Sequence, residues 1–107
     1  MKVIEMNYGK VIIGKNKNEN IKIIETSEPD DLWFHLKDYP SCHIVVQNKR
    51  LLTKSEIYEV GWMVVKNTNK YKDFKELKIS HCLIKDLIIC KEQVGTVFLK
   101  RQQIIQL

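Results

Sequence analysis

Proline and glycine are scarce in this chain, alanine is missing altogether, and only two arginines occur in 107 residues. Two prolines and four glycines are too few for a flexible linker, a polyproline segment or a collagen-like repeat. The three cysteines, Cys42, Cys82 and Cys90, are odd in number and none belongs to a C-x-x-C pair. Neither a disulfide framework nor a zinc knuckle is indicated, and a reducing, cytoplasmic setting is the expectation. No apolar run approaches the ~20 residues that a membrane-crossing helix needs. The opening MKVIEMNYGKVIIG is broken by charge and glycine, so no signal peptide or membrane partner is expected. Walker, H-E-x-x-H, G-x-S-x-G and paired-carboxylate signatures are all missing, which reads as a non-enzyme without a cofactor.

What is present is the composition of one folded domain: 44% apolar and 29% charged residues, in a length that fits a single core. Eighteen cations against 13 acids leave a net charge of +5, an excess that favours anionic partners such as nucleic acid. Lysine supplies nearly all of it, so the chain offers few of the bidentate forks with which arginine reads bases.

The hydrophobic pattern divides the chain into short elements. Residues 2–6 and 10–13 are rich in Val and Ile around Asn7-Tyr8-Gly9, an opening hairpin. The stretch KNKNENIKIIETSE suits a short helix stopped by Pro29. Residues 32–36 alternate, so Leu32, Phe34 and Leu36 face the core while Asp31, Trp33 and His35 share the other side. A turn through Tyr39, Pro40, Ser41 and Cys42 leads to a second strand over 43–47. Thr53-Lys54-Ser55-Glu56 carries the capping-box pattern, and Ile57, Val60, Gly61 and Val64 then recur at helical spacing. Gly61 inside that helix implies close approach to a sheet. Residues 66–78 read as an exposed basic loop with a helical turn at most. Strand-like runs follow at 79–84, 87–90, 96–99 and 103–107, with turns at Lys85-Asp86 and Gly95. The expected fold is α+β: one domain over residues 1–107, a largely antiparallel sheet with one long and one short helix.

Gly14-Lys15-Asn16, then Asn20, then Asp31-x-Trp33-x-His35, then Pro40-x-x-His43-x-Val45 resembles the NFACT-R domain, the RNA-binding domain of the NFACT proteins of ribosome-associated quality control. The likeness runs to Val94-Gly95-Thr96-Val97. Asp31-Leu32-Trp33-Phe34-His35 is also similar to the Asp-Ile-Trp-Phe-His run of small eukaryotic relatives that carry the domain ahead of a coiled coil. One departure is the turn, where the family's usual Pro-Gly-Ser-His is replaced by Pro40-Ser41-Cys42-His43. The resemblance implies binding of RNA, either tRNA or rRNA, with single-stranded DNA as a further candidate and a ribosomal or quality-control protein as a possible partner.

The candidate nucleic-acid-binding residues are Lys15, Asn16, Lys17, Trp33, His35, Lys37, His43, Lys49, Arg50, Lys70, Lys72 and Lys75, with Asp31 and Pro40 as structural members of the motif. Lysines would meet phosphates. Trp33 would either stack on a base or cover the far side of the sheet. His35 and His43 would contact the strand or, with Asp31, hold the turn by hydrogen bonds, leaving Lys15, Asn16, Lys37 and an exposed edge of His43 as a binding rim. A metal site would need Asp31, His35, Cys42 and His43 folded together. Cys42 and His43, adjacent on an extended chain, point to opposite faces and do not make a nucleophile–base pair. The other reading is a protein-interaction module whose lysines are only solvated surface.

Overall fold

The computed structural model describes residues 1–71, 73–90, 92–93 and 96–107; Lys72, Val94 and the turn at Gly95 lie outside them. The described elements run β1 (Lys2–Met6), β2 (Gly9–Gly14), α1 (Lys17–Glu25), β3 (Leu32–Leu36), β4 (His43–Asn48), α2 (Lys54–Thr68), β5 (Lys78–Leu83), a 3₁₀ turn (Ile84–Asp86), β6 (Leu87–Ile89), β7 (Val97–Leu99) and β8 (Gln103–Gln106). Six strands form a sheet in the order β1-β2-β4-β3-β5-β8, and β6 pairs only with β7 in a separate ribbon. All pairings are antiparallel, which gives the α+β architecture that the hydrophobic pattern predicts.

Local chemistry explains the two helices. Asn16 caps α1 by accepting from the Glu19 N–H at 2.9 Å, and the Thr26 and Ser27 hydroxyls take the carbonyls of Lys22 and Ile23 at its far end, just ahead of Pro29. In α2 the expected capping box is complete, with Thr53 and Glu56 each satisfying the other's backbone donor. The helix runs three residues into the stretch expected as loop. Thr68 extends it because its hydroxyl bonds the Val64 carbonyl at 2.7 Å and also receives the Cys42 N–H at 3.2 Å. Asn69 then stops it in a left-handed conformation, φ 68°, which Asn tolerates better than most residues.

Both faces of the central strands are covered. On one, Val60, Val64 and Val65 of α2 pack on Phe34, Leu36 and Ile44, and a side chain at Gly61 would come within 3.2 Å of Ile79 and Leu107, the close approach its position implied. On the other, Ile23 and Ile24 of α1 together with Leu87, Ile89, Val97 and Leu99 of the β6–β7 ribbon close over Trp33, Val45 and Cys82. The alternation along β3 therefore separates two cores, not a core from solvent: Phe34 is 0% and Trp33 1% exposed. Strands buried on both sides lose the apolar-in, polar-out rhythm of a half-exposed sheet, which is why Trp33 and Phe34 can be neighbours in sequence and both be interior.

If each face of β3 supports a core, Trp33→Ala and Phe34→Ala should each lower unfolding free energy by about 3–5 kcal/mol, a large part of the ~5–15 kcal/mol a small domain commands. Urea melts of the two variants check this. A loss below ~1 kcal/mol for Trp33→Ala, with the full loss for Phe34→Ala, would show that the Trp33 face is not a core.

Candidate functional site

The motif residues converge where β2 ends and β4 begins. Gly14 pairs with His43 across the β2–β4 ladder, and a side chain on Gly14 would meet the Asn20 Oδ1 at 2.4 Å. The bare glycine lets Asn20 of α1 reach the sheet, where its Oδ1 accepts the His43 N–H at 3.2 Å. Asn20 is itself buried, so this bond ties α1 to the strand ends from inside.

His43 in turn accepts from the Trp33 indole: Nε1–H to Nδ1 is 3.2 Å. An indole nitrogen can only donate, so His43 must be neutral at Nδ1 and carry its proton on Nε2. Burial and the neighbouring His35 push its pKa down to about 3, in agreement with that geometry. His35 stacks on Trp33 with ring centroids 5.5 Å apart and planes 5° from parallel, and meets His43 edge-on at 4.7 Å. Burial lowers the His35 pKa as well. Near neutral pH the three rings form an uncharged cluster.

Several expected roles change accordingly. Trp33 does not present a ring face for a base, since one face is stacked on His35 and almost none of the residue is exposed. His43 has no exposed edge, at 3%. Asn16 serves as the cap of α1. Asp31 does not serve the turn before β4; its Oδ2 accepts from the Glu28 N–H at 2.9 Å, closing the turn between α1 and β3.

The glycine-free turn before β4 is held by other groups. Asp38 adopts φ 72°, Ser41 Oγ accepts the Leu36 N–H at 3.0 Å, and the Cys42 N–H goes to Thr68. Cys42 Sγ lies against the Val64 carbonyl at 3.5 Å, on the α2 side and away from His43, and burial raises its pKa. The four residues considered for a metal do not converge, and among the described residues no group of three His, Cys, Asp or Glu could hold one.

His35 is the outermost ring of the cluster and faces an open cleft of about 390 Å³. Trp33 also contributes to its wall, which continues through Lys37, Tyr39, Pro40, Leu99 and Gln102. Ser80 donates to the Gln102 Oε1 at its base. Ser80 and Gln102 were not legible as site residues, because β5 and the residues leading into β8 reach the cleft only by pairing in the sheet, and Tyr39 read only as part of the turn.

The lysines separate into two groups. Lys37 directly follows β3, its N–H bonded to the Lys78 carbonyl at 2.9 Å, while Lys70 and Lys75 lie between the end of α2 and β5. Lys15 and Lys17, exposed at the start of α1, lie beyond the end of β2 that pairs with the beginning of β4. All of these belong to one end of the sheet. Lys49 and Arg50 belong to the opposite end, where the Lys49 N–H meets the Tyr8 carbonyl at 2.9 Å. Arg50 is moreover engaged, both terminal nitrogens lying 2.8 Å from the Glu56 carboxylate, whose pKa that contact lowers to about 2.

No known family model matches the chain, and no curated protein matches it either. Among solved structures, the C-terminal part of the fibronectin/fibrinogen-binding protein from Streptococcus suis is similar, with a TM-score of 0.82 and 19% identity over 91% of this chain and 39% of that one. The likeness is one of fold, and this chain spans well under half of that protein chain.

The neutral ring cluster dictates a pH response. His43 binds its proton at about 3 when folded, against an ordinary value of 6.5, so as pH falls below ~6.5 the unfolded chain takes up the proton first and stability declines. Above that pH the contribution is complete. The slope should be up to about 1.4 kcal/mol per pH unit for each buried imidazole. In His43→Asn, whose amide oxygen can still accept from Trp33, thermal midpoints measured from pH 7 to 5 should fall less steeply than in the wild type. Equal slopes would mean that His43 is not the titrating group.

Proposed function

We propose that this domain is a binding module, not an enzyme, and that it takes RNA through the end of the sheet bearing Lys15, Lys37, Lys70 and Lys75. One observation carries the reading: Lys15, Lys37, Lys70 and Lys75, from separate stretches of the chain, meet at one end of the sheet, where Lys37 lines an open cleft, while at the opposite end Arg50 is held in an ion pair. Positive groups gathered around a groove raise the local concentration of a polyanion and release its condensed counterions on contact. The resemblance to the NFACT-R domain supports the same conclusion and points to tRNA or rRNA in ribosome-associated quality control. Neutral His35 and His43 do not add charge at physiological pH, so the lysines are the phosphate contacts. With little arginine to read base edges, binding is weakly sequence-selective.

A protein-interaction module is the second reading. Its support is the exposed pair Ile88 and Phe98, opposite one another on the β6–β7 ribbon, since adjacent exposed apolar side chains mark docking surfaces.

Titration with a single-stranded RNA separates the two. Four lysine–phosphate contacts imply a salt slope near −2.8, so that raising salt from about 50 to about 200 mM weakens affinity about 50-fold. Lys70→Gln with Lys75→Gln should reduce that ratio to about 7-fold, whereas Lys49→Gln, at the other end, should leave it unchanged. Affinity that does not vary with salt would exclude the electrostatic mode and favour the docking surface.

A further inference from the structure

Next to the cleft stands a second group of rings, outside the motif. Tyr39, from the turn between β3 and β4, lies 5.1 Å from Tyr71 and 5.9 Å from Phe74, centroid to centroid, and Tyr71 lies 5.2 Å from Phe74. Tyr71 is rooted on the α2-side core. The outer two are open: Tyr39 is 41% and Phe74 51% exposed. Rings serving only to seal the end of a core would be expected to bury their outer members, because exposed aromatic area goes without the stabilisation of burial.

Left-handed backbone occurs in the turns on either side of the rings. Among the described residues, the non-glycine positions with positive φ are Asp38 at 72°, Asn69 at 68° and Glu76 at 60°. The first precedes Tyr39, and the other two bracket the segment carrying Tyr71 and Phe74. Asp38 and Asn69 are residue types that tolerate the left-handed region, and Asn69 caps α2, so only Glu76 bears its ordinary cost of roughly 1–2 kcal/mol. The charge around the rings is also specific. Lys70 and Lys75 are chain neighbours of Tyr71 and Phe74, and Lys78 lines, with Lys37 and Tyr39, a second cleft of about 390 Å³ on the far side of Tyr39. Lys37 is partly offset by Asp38 at 3.1 Å, and Asp73 and Glu76 are the other acids of the segment.

We propose that Tyr39, Tyr71 and Phe74 form a stacking platform for unpaired bases, with the surrounding lysines holding the phosphates, so that the ligand of this end of the molecule is single-stranded RNA. This rests on the RNA reading above and narrows it. The occupant follows from the combination: open aromatic faces interleaved with cations match a strand that is anionic along its backbone and aromatic along its bases. A duplex hides its base faces and would use only the lysines. The other exposed large apolar residues, such as Trp62 and Leu51, lie outside this ring cluster.

The test measures affinity for a homopolymer RNA strand of about ten nucleotides and for a blunt RNA duplex of the same length, at low salt. Wild type should prefer the single strand by about fivefold or more. Phe74→Leu and Tyr39→Leu should each weaken single-strand binding by about 5- to 150-fold, the range for losing one stacked base, with duplex binding and the thermal midpoint unchanged. Phe74→Tyr should retain single-strand affinity. Equal binding of strand and duplex by the wild type overturns the platform whether or not the variants fold, as do leucine variants that bind like wild type. If in that case Lys70→Gln with Lys75→Gln still weakens binding, the platform fails and the RNA reading stands. If wild type binds neither RNA, both fail.

Discussion

The hydrogen bond from the Trp33 indole to the His43 imidazole is the interaction on which the joining of α1, β3 and β4 depends. β3 lies inside the sheet, between β4 and β5, and both of its faces are interior. A tryptophan placed there brings an N–H that must find an acceptor, since a buried donor left unpaired forfeits about 1–3 kcal/mol. His43, one strand away, provides it. The backbone N–H of the same residue is taken by Asn20, so one histidine couples β3, β4 and α1. Gly14 supplies the space for that coupling.

This arrangement restricts where a ligand can bind. With α2 on one face and α1 and the β6–β7 ribbon on the other, neither face of the central strands is available. Besides the outer face of the ribbon, what remains are mainly strand ends and the loops that join them, where backbone groups meet water and side chains can be displayed without disturbing either core. The lysines at the β3–β5 end and the cleft beside His35 occupy such positions. The histidines contribute shape and a wall to this cleft, and no charge, because protonation would break the bond that holds Trp33.

Much of the architecture was legible from the sequence. The opening hairpin, the capping box at Thr53, the need for glycine at position 61 and the short strands near the C-terminus all rest on interactions within a few residues or on hydrophobic periodicity. The site was legible only in outline. Asp31-x-Trp33-x-His35 and the histidine at 43 stood out, yet their prominence came from their structural duties: Asp31 closes a turn, Trp33 fills a core, and Asn16 caps a helix. Polar and aromatic residues that solve a packing problem look, in sequence, the same as residues that bind a ligand. Exposure separates the two cases, and exposure is a property of the assembled fold.

The sequence by itself determined the class of fold, the extent of most elements, the separation of Trp33 from Phe34 onto opposite faces and the basic balance of the surface, since each follows from local propensity, from the two-residue period of a strand or from a count of charges. Only the tertiary structure decided that both faces of β3 are interior, that Lys15, Lys37, Lys70 and Lys75 share one end while Lys49 and Arg50 occupy the other, and that Tyr39 meets Tyr71 and Phe74 across more than thirty residues of chain. The physical reason is that strand order β1-β2-β4-β3-β5-β8 brings together residues remote in sequence, and no periodicity along a chain records which strand will lie beside which.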